Sequence, residues 1–263
     1  MNYPLAHAAH AEQTAPLAIL SALPEEQDSL LPDLRNARCV RYASRDFWCG
    51  QLHGHAVVLA LSRVGKVAAA TTAAALIGHF GARAIVFTGV AGGVGPGVRV
   101  GDVVLGSHFV QHDMDASPLF PRFEIPLTGQ TIWLADQTLL AQLHAAAARA
   151  LAHQCYAGAP VTLHQGLIAS GDQFVRSAEM QAALCADLQA LGHSPLAVEM
   201  EGAAVAQTCA DHGVPFVAVR SISDRADAHA DVSFSAFVAT TARHYAHAIV
   251  RQWLAASDQP AAA

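Results

Sequence analysis

Lysine is nearly missing from this chain. Lys66 is the sole lysine among 15 basic residues, charged residues account for 14% of the 263, and the formal net charge is -6. No basic stripe exists to neutralise phosphates, which excludes a nucleic-acid surface. Long apolar runs are missing too: none approaches the roughly 20 residues that span a bilayer. Met1–Pro16 is rich in alanine and histidine but lacks the basic-then-apolar order of a signal peptide, and reads as a disordered extension. The five cysteines, Cys39, Cys49, Cys155, Cys185 and Cys209, are odd in number and follow no CxxC spacing. That pattern suits free thiols in a reducing cytoplasm. There is no internal repeat, no linker-like stretch, no GxGxxG fingerprint and no P-loop, since no GK[ST] follows the glycines of 89–93.

What is present is apolar content, 53% of the chain, enough for the core of a single α/β domain. Short apolar runs at 17–22, 39–42, 47–52, 56–62, 84–88, 102–110, 162–170 and 215–221, and another just before Glu199, read as strands. Helices are expected over 65–80, 136–153, 178–191, from about Glu201, and as one long closing element over 234–254. This alternation predicts a three-layer αβα sandwich around a central mixed β-sheet, with antiparallel members among the strands before residue 62. One domain is expected over 17–256, with 1–16 as an extension and 257–263 as a flexible tail. The polar, aromatic, proline-containing stretch 113–130 suits a surface loop over a pocket.

In open α/β folds functional residues gather at the carboxyl ends of strands. Five segments occupy such positions: Glu25-Glu26, Gly89–Gly93, Ser170–Val175, Glu199–Glu201 and Arg220–Asp224. Glu199 and Glu201 have two readings, acids welcomed by a helix dipole or carboxylates with a chemical task. The glycine cluster is either a generic loop or a place where a ligand touches backbone closely. Arg220 and Asp224 form a structural ion pair, or Asp224 carries a proton to a heteroatom of a bound base. Phe174 is a core aromatic or a stacking platform. His108, His112, Asp113 and Asp115 lie on strand and loop rather than on one helical face, so no metal site is expected.

Six of these landmarks, in order, resemble the nucleoside phosphorylase superfamily, and most of all its hydrolytic branch, the 5′-methylthioadenosine/S-adenosylhomocysteine nucleosidases. They are Ala22-Leu23-Pro24-Glu25-Glu26, Val64-Gly65-Lys66-Val67-Ala68-Ala69-Ala70, Thr88-Gly89-Val90-Ala91-Gly92-Gly93, Ser170-Gly171-Asp172-Gln173-Phe174-Val175, Val198-Glu199-Met200-Glu201 and Arg220-Ser221-Ile222-Ser223-Asp224. The resemblance implies a cytoplasmic homodimer without metal or cofactor that hydrolyses the N-glycosidic bond of 5′-thio-substituted adenosines in methionine salvage. It also implies roles. Glu26 activates the attacking water, Asp224 protonates adenine N7, and Glu201 binds the ribose hydroxyls beside Met200. Phe174 stacks on adenine, the Val175 backbone reads its edge, and Arg220 orders the water and the acids. Val64, Ala91, Gly92 and Ser223 fall along the substrate.

Two positions depart from the family pattern: Val90 where serine is common, and Arg63 where glycine is common. Arg63 keeps open a purine nucleoside phosphorylase on the same scaffold, in which phosphate replaces water. A non-catalytic nucleoside-binding domain is the third reading.

Overall fold

Apolar runs become strands in the order the sequence presents them. The computed structural model describes residues 15–228, 230–238, 241 and 243–257, so the expected extension and tail lie almost wholly outside the described residues. The first half of the chain contains β1 (Leu17–Ser21), α1 (Pro24–Gln27), β2 (Arg35–Tyr42), β3 (Arg45–Leu52), β4 (His55–Leu61), α2 (Lys66–Gly78), β5 (Ala84–Gly93) and β6 (Val103–Gln111). There follow β7 (Ile132–Leu134), α3 (Gln137–Leu151), β8 (Cys155–Tyr156), β9 (Ala159–Pro160), β10 (Leu163–Ser170) and α4 (Ala178–Gln189). The chain continues through β11 (Pro195–Glu199), α5 (Gly202–Asp211), β12 (Phe216–Asp224), α6 (Ala230–Phe237) and α7 (Arg243–Ser257).

Ten strands form one mixed sheet in the order β11-β10-β6-β12-β5-β1-β4-β3-β2, with β7 beside β6. The pairs β4–β1, β1–β5 and β5–β12 are parallel, whereas β12–β6, β3–β4 and β2–β3 are antiparallel. β11 also pairs with β5, antiparallel, at Ala197–Gly93 and Val198–Gly92. One end of the sheet is therefore rolled into a closed ring of β5, β12, β6, β10 and β11, while β1–β4 continue as an open sheet. Ring closure brings the carboxyl end of β11, with that of β10 beside it, against the second half of β5, to which β11 runs antiparallel.

Helices cover both faces. α2 and α5 pack together as one group, and α3 packs along α7 as the other. Alanine-rich sequence explains the first contact: Ala69, Ala73, Ala203, Ala204 and Ala206 are buried and let the two backbones approach. α3 has the expected amphipathic spacing, burying Leu139, Leu140, Leu143, Ala146, Ala147 and Leu151, and Asp136 caps it by accepting from the Leu139 N–H at 2.8 Å.

Two expectations are corrected. The closing helical region foreseen over 234–254 starts earlier, at Ala230, and its described residues fall in α6, in π-helical geometry at 238 and 241, and in α7, which ends at Ser257. Residues 89–93 are not a loop but the second half of β5, paired to β12 from Gly89 to Gly92 and to β11 at Gly92 and Gly93. Glycines fit there because side chains crowd them. Elsewhere in the ring, a Cβ on Gly106 would lie 2.4 Å from the Phe109 ring and 2.9 Å from Ile168. Gly106→Ala is expected to overpack this interior and cost about 1–3 kcal/mol, read as a lower urea midpoint with an unchanged m-value.

Candidate active site

A cavity of about 480 Å³ opens where β5, β11 and β12 meet the loop after β10. Nine of the expected residues line it: Glu201, Met200, Phe174 and Val175 on one part of the wall, and Val64, Ala91, Gly92, Ser223 and Asp224 on the rest. Glu26 and Arg220 do not line it. They stand behind the wall, 0% and 1% exposed, meeting near Gly89.

Arg220 is the electrostatic centre. Its Nη2 donates to Glu199 Oε2 at 2.8 Å, its Nη1 donates to the Phe87 carbonyl at 3.1 Å, and its guanidinium lies 4.0 Å above the Phe87 ring. Of the two readings open for Arg220 and Asp224, the ion pair is not formed, because Arg220 pairs with Glu199. A Cβ on Gly89 would come within 2.8 Å of Arg220 Nη1, which is why the strand carries glycine here.

Glu199 and Glu201 take the two readings separately. Glu199 accepts from the backbone N–H groups of Glu201 and Gly202, from Ser170 Oγ and from Arg220. It is the acid that caps α5. Glu201 occupies the N-cap position of α5, yet its side chain makes no cap bond. Its Oε1 instead accepts from the Gly65 N–H at 2.9 Å, and the residue faces the cavity. Burial, and then the negative charge of Glu199, push the Glu201 carboxyl up to about 8.

Glu26 closes the first turn of its own short helix: its Oε2 accepts from the N–H groups of Ala22 and Leu23 at 3.0 and 3.1 Å. Its Oε1 is buried and without a hydrogen-bond partner among the described residues. Burial raises the Glu26 carboxyl to about 7, against the pull of those amides and of Arg220. Asp224 is raised as well, again by burial, while Ala226 N–H on Oδ1 and Ser223 Oγ–H on Oδ2, both at 2.8 Å, favour its ionised form.

Phe174 is 39% exposed and packs edge-to-face on Phe234, ring centroids 6.0 Å apart. Phe234 is a lining residue that the sequence reading assigned only to a closing helix; a lone aromatic on α6 carries no signal of its own. Val90 lines the cavity, so the departure from serine is a direct change of its wall. Arg63 turns away: its Nη2 donates to the Ser44 carbonyl. Among the described residues lining the cavity there is no lysine, arginine or histidine. Nor do the described residues contain any cluster of three potential metal ligands; Asp113 is taken by Lys66 at 2.6 Å.

A rolled mixed sheet with buried acids around an apolar cavity at its partner-changing strand defines a class. A family model of the phosphorylase superfamily matches residues 16–255, and the chain belongs to that superfamily. The 5′-methylthioadenosine/S-adenosylhomocysteine nucleosidase of Chromohalobacter salexigens is 36% identical over 233 residues, 88% of this chain and 93% of its own. The crystal structure of the Neisseria meningitidis 5′-methylthioadenosine/S-adenosylhomocysteine nucleosidase in complex with methylthio-immucillin-A matches with a TM-score of 0.83 at 35% identity, covering 92% of this chain and 99% of that one. The futalosine hydrolase of Helicobacter pylori matches with a TM-score of 0.81 at 32% identity, covering 92% and 98%. Within the superfamily, the chain belongs to the 5′-methylthioadenosine/S-adenosylhomocysteine nucleosidases, a family of hydrolases.

The raised carboxyls have a stability consequence. Each binds a proton in the folded chain that the unfolded chain has already released, so its contribution is full below about pH 4.5 and is lost as pH rises toward 7 for Glu26 and 8 for Glu201. The ligand-free protein is expected to lose up to about 1.4 kcal/mol per pH unit for each such group across that window. Glu201→Gln should flatten the fall of Tm between pH 5 and 8, and an equally steep slope in the variant would contradict the raised carboxyl.

Proposed function

We propose that this chain hydrolyses the N-glycosidic bond of 5′-methylthioadenosine and S-adenosylhomocysteine, releasing adenine and the thioribose. One observation carries the reading: Glu26, its carboxyl raised to about 7, and Asp224, raised by burial, are buried acids beside a cavity with no cation among its described lining residues. Such a wall suits a neutral nucleoside and a developing ribosyl cation, and repels phosphate. The carboxylates contact β5 at Gly89 and Gly92, three residues or about 10 Å apart along a strand, room for a sugar between a water-activating acid and a base-protonating one.

Bond cleavage places positive charge on the sugar and negative charge on the departing base. Asp224, whose carboxyl burial raises, gives a proton to N7, and Ser223 and the Ala226 N–H then stabilise the carboxylate that remains. Glu26 holds the nucleophilic water at Oε1, the oxygen without a partner among the described residues, while two amides fix Oε2. Its carboxyl near pH 7 suits a base that takes the water proton as the oxygen bonds to C1′. Glu201 accepts hydrogen bonds from the ribose hydroxyls, with Met200 against the sugar. Phe174 stacks on adenine and the Val175 backbone reads its edge. The chain acts as a homodimer in the cytoplasm.

Adenine release from 5′-methylthioadenosine is expected in phosphate-free buffer at the same rate as with phosphate; strict dependence on phosphate would establish the phosphorylase instead. Glu26→Gln and Asp224→Asn should each lower kcat at least about 100-fold, measured as adenine formation, and near-normal turnover in either would refute its assigned role.

A further inference from the structure

The sole lysine of the chain is spent away from solvent. Lys66 Nζ donates to Asp113 Oδ1 at 2.6 Å and to Gln111 Oε1 at 3.1 Å, and its side chain is 15% exposed. The other Asp113 oxygen, Oδ2, accepts from the Asp172 N–H at 2.8 Å. Asp172 Oδ1 in turn accepts from the Lys66 N–H at 2.7 Å. Lysine side chain, Asp113, Asp172 and lysine backbone therefore close into a ring of charge-assisted hydrogen bonds. Gln111 extends it, donating from Nε2 to Gln207 on α5 at 2.8 Å.

Both of its outlets lead to the cavity. The N–H next to that of Lys66, on Gly65, is the donor that holds Glu201. Gly65 sits at a φ of +96°, and a Cβ there would lie 3.1 Å from Asp172 Oδ1, so this turn is shaped around the ring. Asp172 directly precedes Gln173, Phe174 and Val175, which line the cavity. Lys66 itself does not. We propose that Lys66, clamped by Asp113, is a positioning residue: it presets the Gly65 amide that orients Glu201 and the loop that carries Phe174. This rests on the nucleosidase reading, and it separates binding from chemistry, because Glu26, Arg220 and Asp224 make no hydrogen bond to the ring.

Lys66→Met breaks the ring while keeping the length of the aliphatic stem. With purified full-length protein and 5′-methylthioadenosine, KM is expected to rise about tenfold, as for loss of a charge-assisted hydrogen bond, with kcat within about threefold. Lys66→Arg, which retains a cation able to reach Asp113, should recover most of the loss, and Asp113→Asn should reproduce the effect of Lys66→Met. If Lys66→Met does not fold, Asp113→Asn is judged by the same split. An unchanged KM, or a fall in kcat at constant KM, would overturn the proposal. Absence of adenine release by the unmodified enzyme would overturn the nucleosidase reading instead, so the two failures are distinct.

Discussion

Everything near the cavity is arranged around one buried cation. Arg220 lies in the middle of β12 at 1% exposure, and a guanidinium so placed is tolerable only with a carboxylate, acceptors and an aromatic face around it. Glu199 at the end of β11 supplies the charge, and Phe87 on β5 supplies both carbonyl and ring. The ion pair thereby joins three strands of the closed ring and sets where β11 must end. Removing one partner would leave the other charged and dry, a loss typically of about 3–5 kcal/mol.

The same pair divides labour among the acids. Glu199 has a cation and several donors, so its charge is satisfied. Glu26 and Glu201 are buried without a cation bonded to them, and both keep their protons toward neutral pH. Three glutamates of identical chemistry thus come to sit in three different electrostatic settings through surroundings alone.

Much of this was legible in the sequence, and the exceptions have physical reasons. Apolar runs and helix punctuation placed most elements within a few residues, and the αβα arrangement followed from their alternation. Local signals did not foretell that residues 89–93 are strand: glycines read as loop, and only the crowding of Arg220, Asp224 and Ile222 against them explains their presence in a ladder. Closure of the ring rests on two long-range pairs, Ala197–Gly93 and Val198–Gly92, which no periodicity encodes. The split between Glu199 and Glu201 required knowing which carboxylate reaches Arg220. Phe234 and the partner of Lys66 were likewise matters of tertiary approach.

β5 changes neighbours along its length. On one edge it pairs with β1 from Ala84 to Thr88 and with β11 at Gly92 and Gly93, leaving Gly89, Val90 and Ala91 without a strand beside them on that side. Those three residues are where flat sheet turns into closed ring, and Val90 and Ala91 form cavity wall. A molecule seated in that gap spans a seam between two differently built parts of one sheet. Its occupancy therefore splices the open and closed regions into one mechanical unit, and free energy of binding becomes resistance to separating them.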